Sequence, residues 1–226
     1  DFIRQIAVHP TQPLFLSCSD DTYIKLFRIK KNNEISLEQT FAGHEHFVMD
    51  VKINPKDPST FATASLDKKI NFWDLNSSTR RFTLTGHRDG VNCIEFFPGN
   101  NRPFIASGSD DYTINIWDYQ TKSCIVTLSG HRENVTSLRF HPIYPLLFST
   151  GEDNMLLVWN TLTHETETAL DYQKKRGWAI DIKDNQVTVG YDEGLVVLQI
   201  GGDSSALITM DSIGRTFWAK NNEIQT

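Results

Sequence analysis

One phrase recurs along the sequence: Gly-His, an alternating apolar run, a Ser or Thr leading into an Asp-containing turn, and a closing Trp-Asp. Its copies run from Gly43-His44 to Trp73-Asp74, from Gly86-His87 to Trp117-Asp118, and from Gly130-His131 to Trp159-Asn160. Trp73 and Trp117 lie 44 residues apart, and Trp117 and Trp159 lie 42 apart. A unit repeated at this period cannot bury its apolar face alone and must stack on its neighbours. The repeat therefore dictates a modular architecture.

Each copy divides into four strands. After His87 the first is Val91 to Pro98, alternating in polarity, with the proline at its end. Phe104 to Ser109 is the second, and Asp110-Asp111 turns the chain into the third, Thr113 to Trp117. Ser123 to Leu128 is an outer fourth strand leading to the next Gly-His. Four short strands per 40–45 residues with these marks are similar to WD40 blades. Two degenerate copies flank the clear three. Asp1 to Arg28 has Phe27 where Trp is expected, and a copy from Trp178 to Leu198 lacks both marks. The expected fold is all-β, a WD40 β-propeller of about five blades that opens inside a blade and is incomplete. Residues 1–200 are read as propeller. Residues 201–226 are read as a linker and the start of a second β unit.

The rest of the composition narrows function. A net charge of −6 argues against broad nucleic-acid binding and favours basic partners. No run of 18 apolar residues is present, and the first residues are strand-like rather than a signal peptide. Cys18, Cys93 and Cys124 are odd in number and fall in apolar strand patterns, so buried free thiols are expected. His44-Glu45-His46 lacks a matched third ligand, and neither a metal nor a cofactor is expected.

Three sets contain the elements of a Ser-His-Asp triad: His44, Thr63 and Asp67; His87, Ser107 and Asp111; His131, Ser149 and Asp153. An enzyme needs one nucleophile in one cleft, whereas these recur once per blade. In each, a Trp (Trp73, Trp117 or Trp159) follows the hydroxyl residue by ten positions. The expected role is a buried hydrogen-bond chain: Asp accepts from His, His meets the hydroxyl, and the hydroxyl meets the indole N–H. No catalysis is expected.

A positional signal points to a ligand. Two residues before the first apolar residue of each inner strand stand Asp1, His46, Asp89, Glu133 and Arg176. One before the structural acid of each turn stand Asp20, Leu66, Asp110, Glu152 and Asp192. Seven of these ten are acidic. Acids favour turns in any case, but acids gathered on one surface of a rigid scaffold would recognise lysines. Arg4 reaches the same surface, and charges of both signs suit a ligand carrying ammonium and carboxylate groups.

Stretches outside the repeat marks carry a more specific resemblance. Ile6-Ala7-Val8-His9-Pro10-Thr11, Asn54-Pro55-Lys56-Asp57-Pro58-Ser59-Thr60 and Gly190-Tyr191-Asp192-Glu193-Gly194 resemble the beta-prime subunits of the coatomer vesicle coat. So do Gly43 to Met49 and Trp117 to Cys124. The resemblance implies a seven-bladed ring whose first two blades precede residue 1. It implies a non-catalytic module that recognises C-terminal dilysine retrieval signals on cytosolic tails of membrane cargo in Golgi-to-ER transport. Its partners would include other coatomer subunits and no nucleic acid. It would sit in the cytoplasm, at the cytosolic face of Golgi membranes and vesicles, reaching the membrane only through the coat. The lysine-binding acids fall on Asp1, Asp20 and Asp110, with Arg4 and Arg176 as companions for the peptide carboxylate. Basic residues that the family draws from its first two blades are not in this sequence. The alternative is a generic WD40 scaffold for another basic peptide.

Overall fold

The computed structural model describes residues 1–99 and 102–201, together with the strands Leu207–Met210, Thr216–Lys220 and Glu223–Gln225. The chain divides into two compact units, Asp1–Ser129 and Gly130–Thr226. The described elements are all strands. The first unit holds three four-stranded antiparallel meanders. They are β1 (Ile3–Val8) to β4 (Ile35–Phe41) through β2 (Leu14–Ser19) and β3 (Ile24–Ile29); β5 (Val48–Ile53) to β8 (Ser77–Thr85) through β6 (Thr60–Ser65) and β7 (Lys69–Asp74); and β9 (Val91–Phe96) to β12 (Ser123–Ser129) through β10 (Phe104–Ser109) and β11 (Thr113–Asp118). The second unit holds a fourth such sheet, β13 (Val135–Phe140), β14 (Leu146–Gly151), β15 (Met155–Asn160) and β16 (Thr166–Asp171). A three-stranded sheet follows: β17 (Gly177–Lys183), β18 (Gln186–Tyr191) and β19 (Gly194–Gln199). These five sheets are the five blades. Beyond them, β20 (Leu207–Met210), β21 (Thr216–Lys220) and β22 (Glu223–Gln225) form a separate antiparallel sheet. Gly202 to Ser205, read above as linker, lie outside the described residues.

Short-range chemistry explains the tight turns. In each of the first four blades one residue of the second-to-third-strand turn is left-handed: Thr22, Lys68, Tyr112 and Asn154, with φ from 68° to 71°. The Asp just before it holds that shape, its Oδ1 accepting from the backbone N–H two residues on. The distances are 3.0 Å for Asp21, Asp67 and Asp111, and 3.2 Å for Asp153.

Packing between neighbouring sheets forms the core. In the first unit Leu16, Cys18 and Ile24 bury against Val48, Val51 and Phe61 of the next blade. Ala62, Ile70 and Leu84 bury in turn against Val91, Ile94 and Ile105. In the second unit Phe148 and Leu156 meet Ile180 and Val189. Each aliphatic side chain so buried contributes roughly 1.5–3 kcal/mol. A polar latch joins the inner strands. Asp50 Oδ2 accepts from the N–H of Ile94 at 2.9 Å, and at the same place in the second unit Ser137 Oγ accepts from the N–H of Ile180 at 3.2 Å. Burial pushes the Asp50 carboxyl above its ordinary range.

Two features depart from a uniform repeat. Register places Ile6 of the first blade where Val51 sits in the second, opposite Ser17 and Thr63 respectively. Val51 is fully buried, whereas Ile6 is 52% and Val8 71% exposed. The thiols also differ. All three are free, and Cys18 and Cys93 are buried, but Cys124 is exposed, correcting the expectation of three buried thiols. It lies on β12, an outer strand that packs little of its surface.

Candidate functional site

The Gly-His and Trp marks meet inside each of the three blades that carry them. His87 Nδ1 lies 2.8 Å from Asp111 Oδ2, and its Nε2 lies 2.7 Å from Ser107 Oγ. Trp117 Nε1 donates to the same hydroxyl at 2.8 Å. With Nδ1 donating to the carboxylate, Nε2 accepts from Ser107. The chain then runs in one direction, from indole to hydroxyl to imidazole to carboxylate. Around His44 the distances to Asp67 and Thr63 are both 2.7 Å, and Trp73 donates to Thr63 at 2.9 Å. His131 lies 3.0 Å from Asp153 and 2.7 Å from Ser149, which accepts from Trp159 at 2.8 Å. The hydroxyl residues Thr63, Ser107 and Ser149 are fully buried. Burial works against ionisation of Asp67, Asp111 and Asp153. Hydrogen bonds from the His rings and neighbouring donors outweigh it and hold all three carboxyls below their ordinary range. Each hydroxyl is thus fully buried and held from both sides.

The glycine of each Gly-His pair has a packing reason. A methyl group on Gly130 would stand 2.7 Å from Cη2 of Trp159, and one on Gly86 would stand 3.0 Å from Cη2 of Trp117. The indole ring lies directly against the glycine backbone, so the two marks select each other.

In each blade the end near the second-to-third-strand turn holds the residues that the sequence singles out as ligand candidates. There the N–H groups of Asp20, Leu66, Asp110, Glu152 and Asp192 bond the carbonyls of Phe2, Phe47, Gly90, Asn134 and Arg176 respectively. The first strand of every blade is also irregular at the same place. Register skips one residue after Ile3, Val48, Val91, Val135 and Gly177. The bulged residues are Arg4, Met49, Asn92, Thr136 and Trp178, and a bulge re-aims its side chain. Three of them point a donor at the turn acid of their own blade. Arg4 grips Asp20 with two bonds of 2.6 Å, Asn92 Nδ2 donates to Asp110 at 2.7 Å, and Trp178 Nε1 donates to Asp192 at 2.7 Å. In the second blade Met49 and Leu66 place apolar groups at the equivalent positions.

This geometry sets the character of each sequence-predicted residue. Asp20 is nearly buried, its side chain 4% exposed against 40% for Arg4. The Arg4 guanidinium holds the Asp20 carboxyl below its ordinary range. Asp1 is exposed, and its Oδ1 accepts from the N–H of Phe2 at 2.9 Å. Asp110 is half-buried. In the second unit Arg176 Nε donates to Asp192 at 3.2 Å, its NH1 is 3.8 Å from Glu152, and its guanidinium carbon lies 5.1 Å from the Trp178 ring centre. Register corrects one alignment. Gly177, not Trp178, matches Ile3, Val48, Val91 and Val135, so Lys175 rather than Arg176 is the counterpart of Asp1. Gly177 stands where the other first strands begin with Ile or Val, so the first apolar residue of the fifth is the bulged Trp178, one position late. The bulge donors Asn92 and Trp178 are not marked in the sequence, because a bulge leaves no periodic signal.

The family model described as "WD domain, G-beta repeat" matches residues 1–28, 35–74, 78–118 and 122–160, more than half of the chain. The chain belongs to the WD40 family. The WD40 blades are also similar to particular relatives. Coatomer subunit beta' of Rattus norvegicus is 50% identical over 192 residues, covering 84% of this chain and 21% of that protein. The Drosophila melanogaster coatomer subunit beta' is 47% identical over 191 residues, 83% of this chain and 21% of that protein. A probable coatomer subunit beta' of Caenorhabditis elegans is 46% identical over 196 residues, 86% of this chain and 20% of that protein. The WD40 chain spans about a fifth of the length of these relatives. Among its described residues no helix is long and apolar enough to cross a membrane, and no group of three or more His, Cys, Asp or Glu side chains is placed to hold a metal ion.

Proposed function

We propose that this chain is a non-catalytic WD40 module of a vesicle coat and that it binds C-terminal dilysine signals on cytosolic tails of membrane cargo. The observation that carries the reading is the likeness to coatomer subunit beta', 50% identical over 84% of the chain. The His, Ser/Thr and Asp sets are taken as structural, because each hydroxyl is already spent between an imidazole and an indole. Residues from 201 onward are taken as the linker and opening of a further β unit. The other subunits of the coat are the expected partners, at the cytosolic face of Golgi membranes.

In this reading Asp1 and Asp20 receive one lysine ammonium and Asp110 receives the other. Arg4 then has two tasks. It covers Asp20 in the free chain, and on binding it turns to the terminal carboxylate while an ammonium takes its place on Asp20. Charge-assisted bonds of this kind contribute about 1.5–3 kcal/mol each. The role of Arg176 on the peptide carboxylate rests on the sequence resemblance. The test is a calorimetric titration with a dilysine-terminated peptide, a dialanine control and a peptide with an internal lysine pair. Asp1→Asn with Asp20→Asn should weaken the dilysine peptide tenfold or more. Unchanged affinity in that variant would remove both acids from the site. Equal binding of the internal pair would favour a generic scaffold for basic peptides.

A further inference from the structure

A second site lies at the opposite end of the blades from the turn acids. A groove of about 470 Å³ opens in the first unit between the second and third blades. That volume is within the range of about 300–1,000 Å³ typical of ligand sites. Its walls are aromatic. Phe72 and Phe82 stack at 4.5 Å, and Tyr119 stands 5.6 Å from Phe72. Phe72 is buried, while Phe82 and Tyr119 keep partly open faces. The rim is cationic, formed by Lys56, Arg81 and Arg102.

The charge at this rim runs against the rest of the chain, whose net charge is −6. Arg81 bonds Asp74 at 2.5 Å and lies 3.9 Å from Asp57, the acid that lines the groove. Lys56 donates to the backbone carbonyl of Arg102, and the Arg102 guanidinium lies over the Phe104 ring at 5.8 Å. Among the described residues neither Lys56 nor Arg102 pairs with a carboxylate. Lys56 is half-buried, and that burial lowers its pKa. Two cations without counter-charges beside an open aromatic slot call for a ligand bearing carboxylates next to a large apolar group.

We propose that this groove docks an extended acidic peptide segment of a partner protein, with an aromatic or large aliphatic side chain between Phe82 and Tyr119 and flanking carboxylates on Lys56, Arg81 and Arg102. A peptide fits better than a lone anion because the slot offers aromatic surface far beyond the reach of one phosphate. The site is independent of the dilysine reading, which concerns the other end of the blades and the opposite ligand charge.

The probe is a fluorescein-labelled peptide, Asp-Glu-Asp-Phe-Glu-Asp-Glu, titrated by fluorescence anisotropy against the 226-residue chain. Saturable binding is expected, about tenfold weaker when its Phe becomes Ala. Lys56→Glu with Arg102→Glu should weaken it tenfold or more. Exposed Arg102→Glu alone should have a smaller effect in the same direction, with an unchanged melting curve as the folding control. Asp1→Asn with Asp20→Asn should leave it unaltered. The proposal is overturned by absent binding, by equal affinity for the Phe and Ala peptides, or by indifference to charge reversal. It is equally overturned if poly-uridine displaces the probe as well as unlabelled peptide does, which would make the groove a nucleic-acid or general polyanion site.

Discussion

Ser107→Ala tests the internal chain of the third blade most directly. Ser107 is fully buried and serves two neighbours, accepting from Trp117 Nε1 at 2.8 Å and donating to His87 Nε2 at 2.7 Å. Its removal strands both groups in a dry interior, where an unsatisfied polar group costs about 1–3 kcal/mol. The single substitution should therefore destabilise by about 2–4 kcal/mol. Trp117→Phe removes the indole N–H and part of a side chain that is 2% exposed, at about 2–3 kcal/mol. In the double variant the N–H is already gone, so Ser107→Ala strands only the imidazole. The two losses should then fall short of their sum by about 1–2 kcal/mol. Urea unfolding followed by circular dichroism measures the cycle, with equal m-values required among the variants. The first blade supplies a control. There Phe27 stacks on Phe15 at 5.0 Å in place of an indole, and Ser17→Ala with Phe27→Leu should show no such coupling. Additivity within about 0.5 kcal/mol at Ser107 and Trp117 would refute the hydrogen-bond chain.

Acid should act through the turn carboxyls. Asp67, Asp111 and Asp153 have lowered pKa values in the fold. Their contribution is thus complete above about pH 4 and lost as pH falls through the folded values. Thermal unfolding between about pH 2 and 7 should show this decline. Asp111→Asn should flatten it, and an unaltered slope would contradict the assignment. Buried Asp50 has the opposite sign: its raised pKa stabilises at low pH and that gain disappears as pH rises. The exposed face of β1 should promote self-association of this chain. Sedimentation velocity should show concentration-dependent species that Ile6→Lys with Val8→Lys abolishes. A monomeric parent at high concentration would count against that.

What was legible in the sequence is whatever repeats. The spacing of Trp73, Trp117 and Trp159 and the strand-like alternation around them determine four-stranded blades, because each such unit buries its apolar face only by stacking on the next. The His, hydroxyl, Asp and Trp partners were legible for the same reason: a set that recurs at one spacing in three blades must occupy one place in the fold. The blade ends were not. Whether Asp20 is an open carboxylate or one clasped by Arg4 depends on a bulge after Ile3, and a bulge leaves no pattern in composition or period. Lys175 rather than Arg176 matches Asp1 because Gly177 interrupts the apolar pattern that marks the start of the other first strands. The groove of Lys56, Phe82 and Tyr119 was still less visible, since its walls come from separate blades and from strand ends far apart in sequence. Local periodicity determines the element and its buried face. Only the packing of one sheet on the next decides which polar groups at its ends are already satisfied and which are left to bind something else.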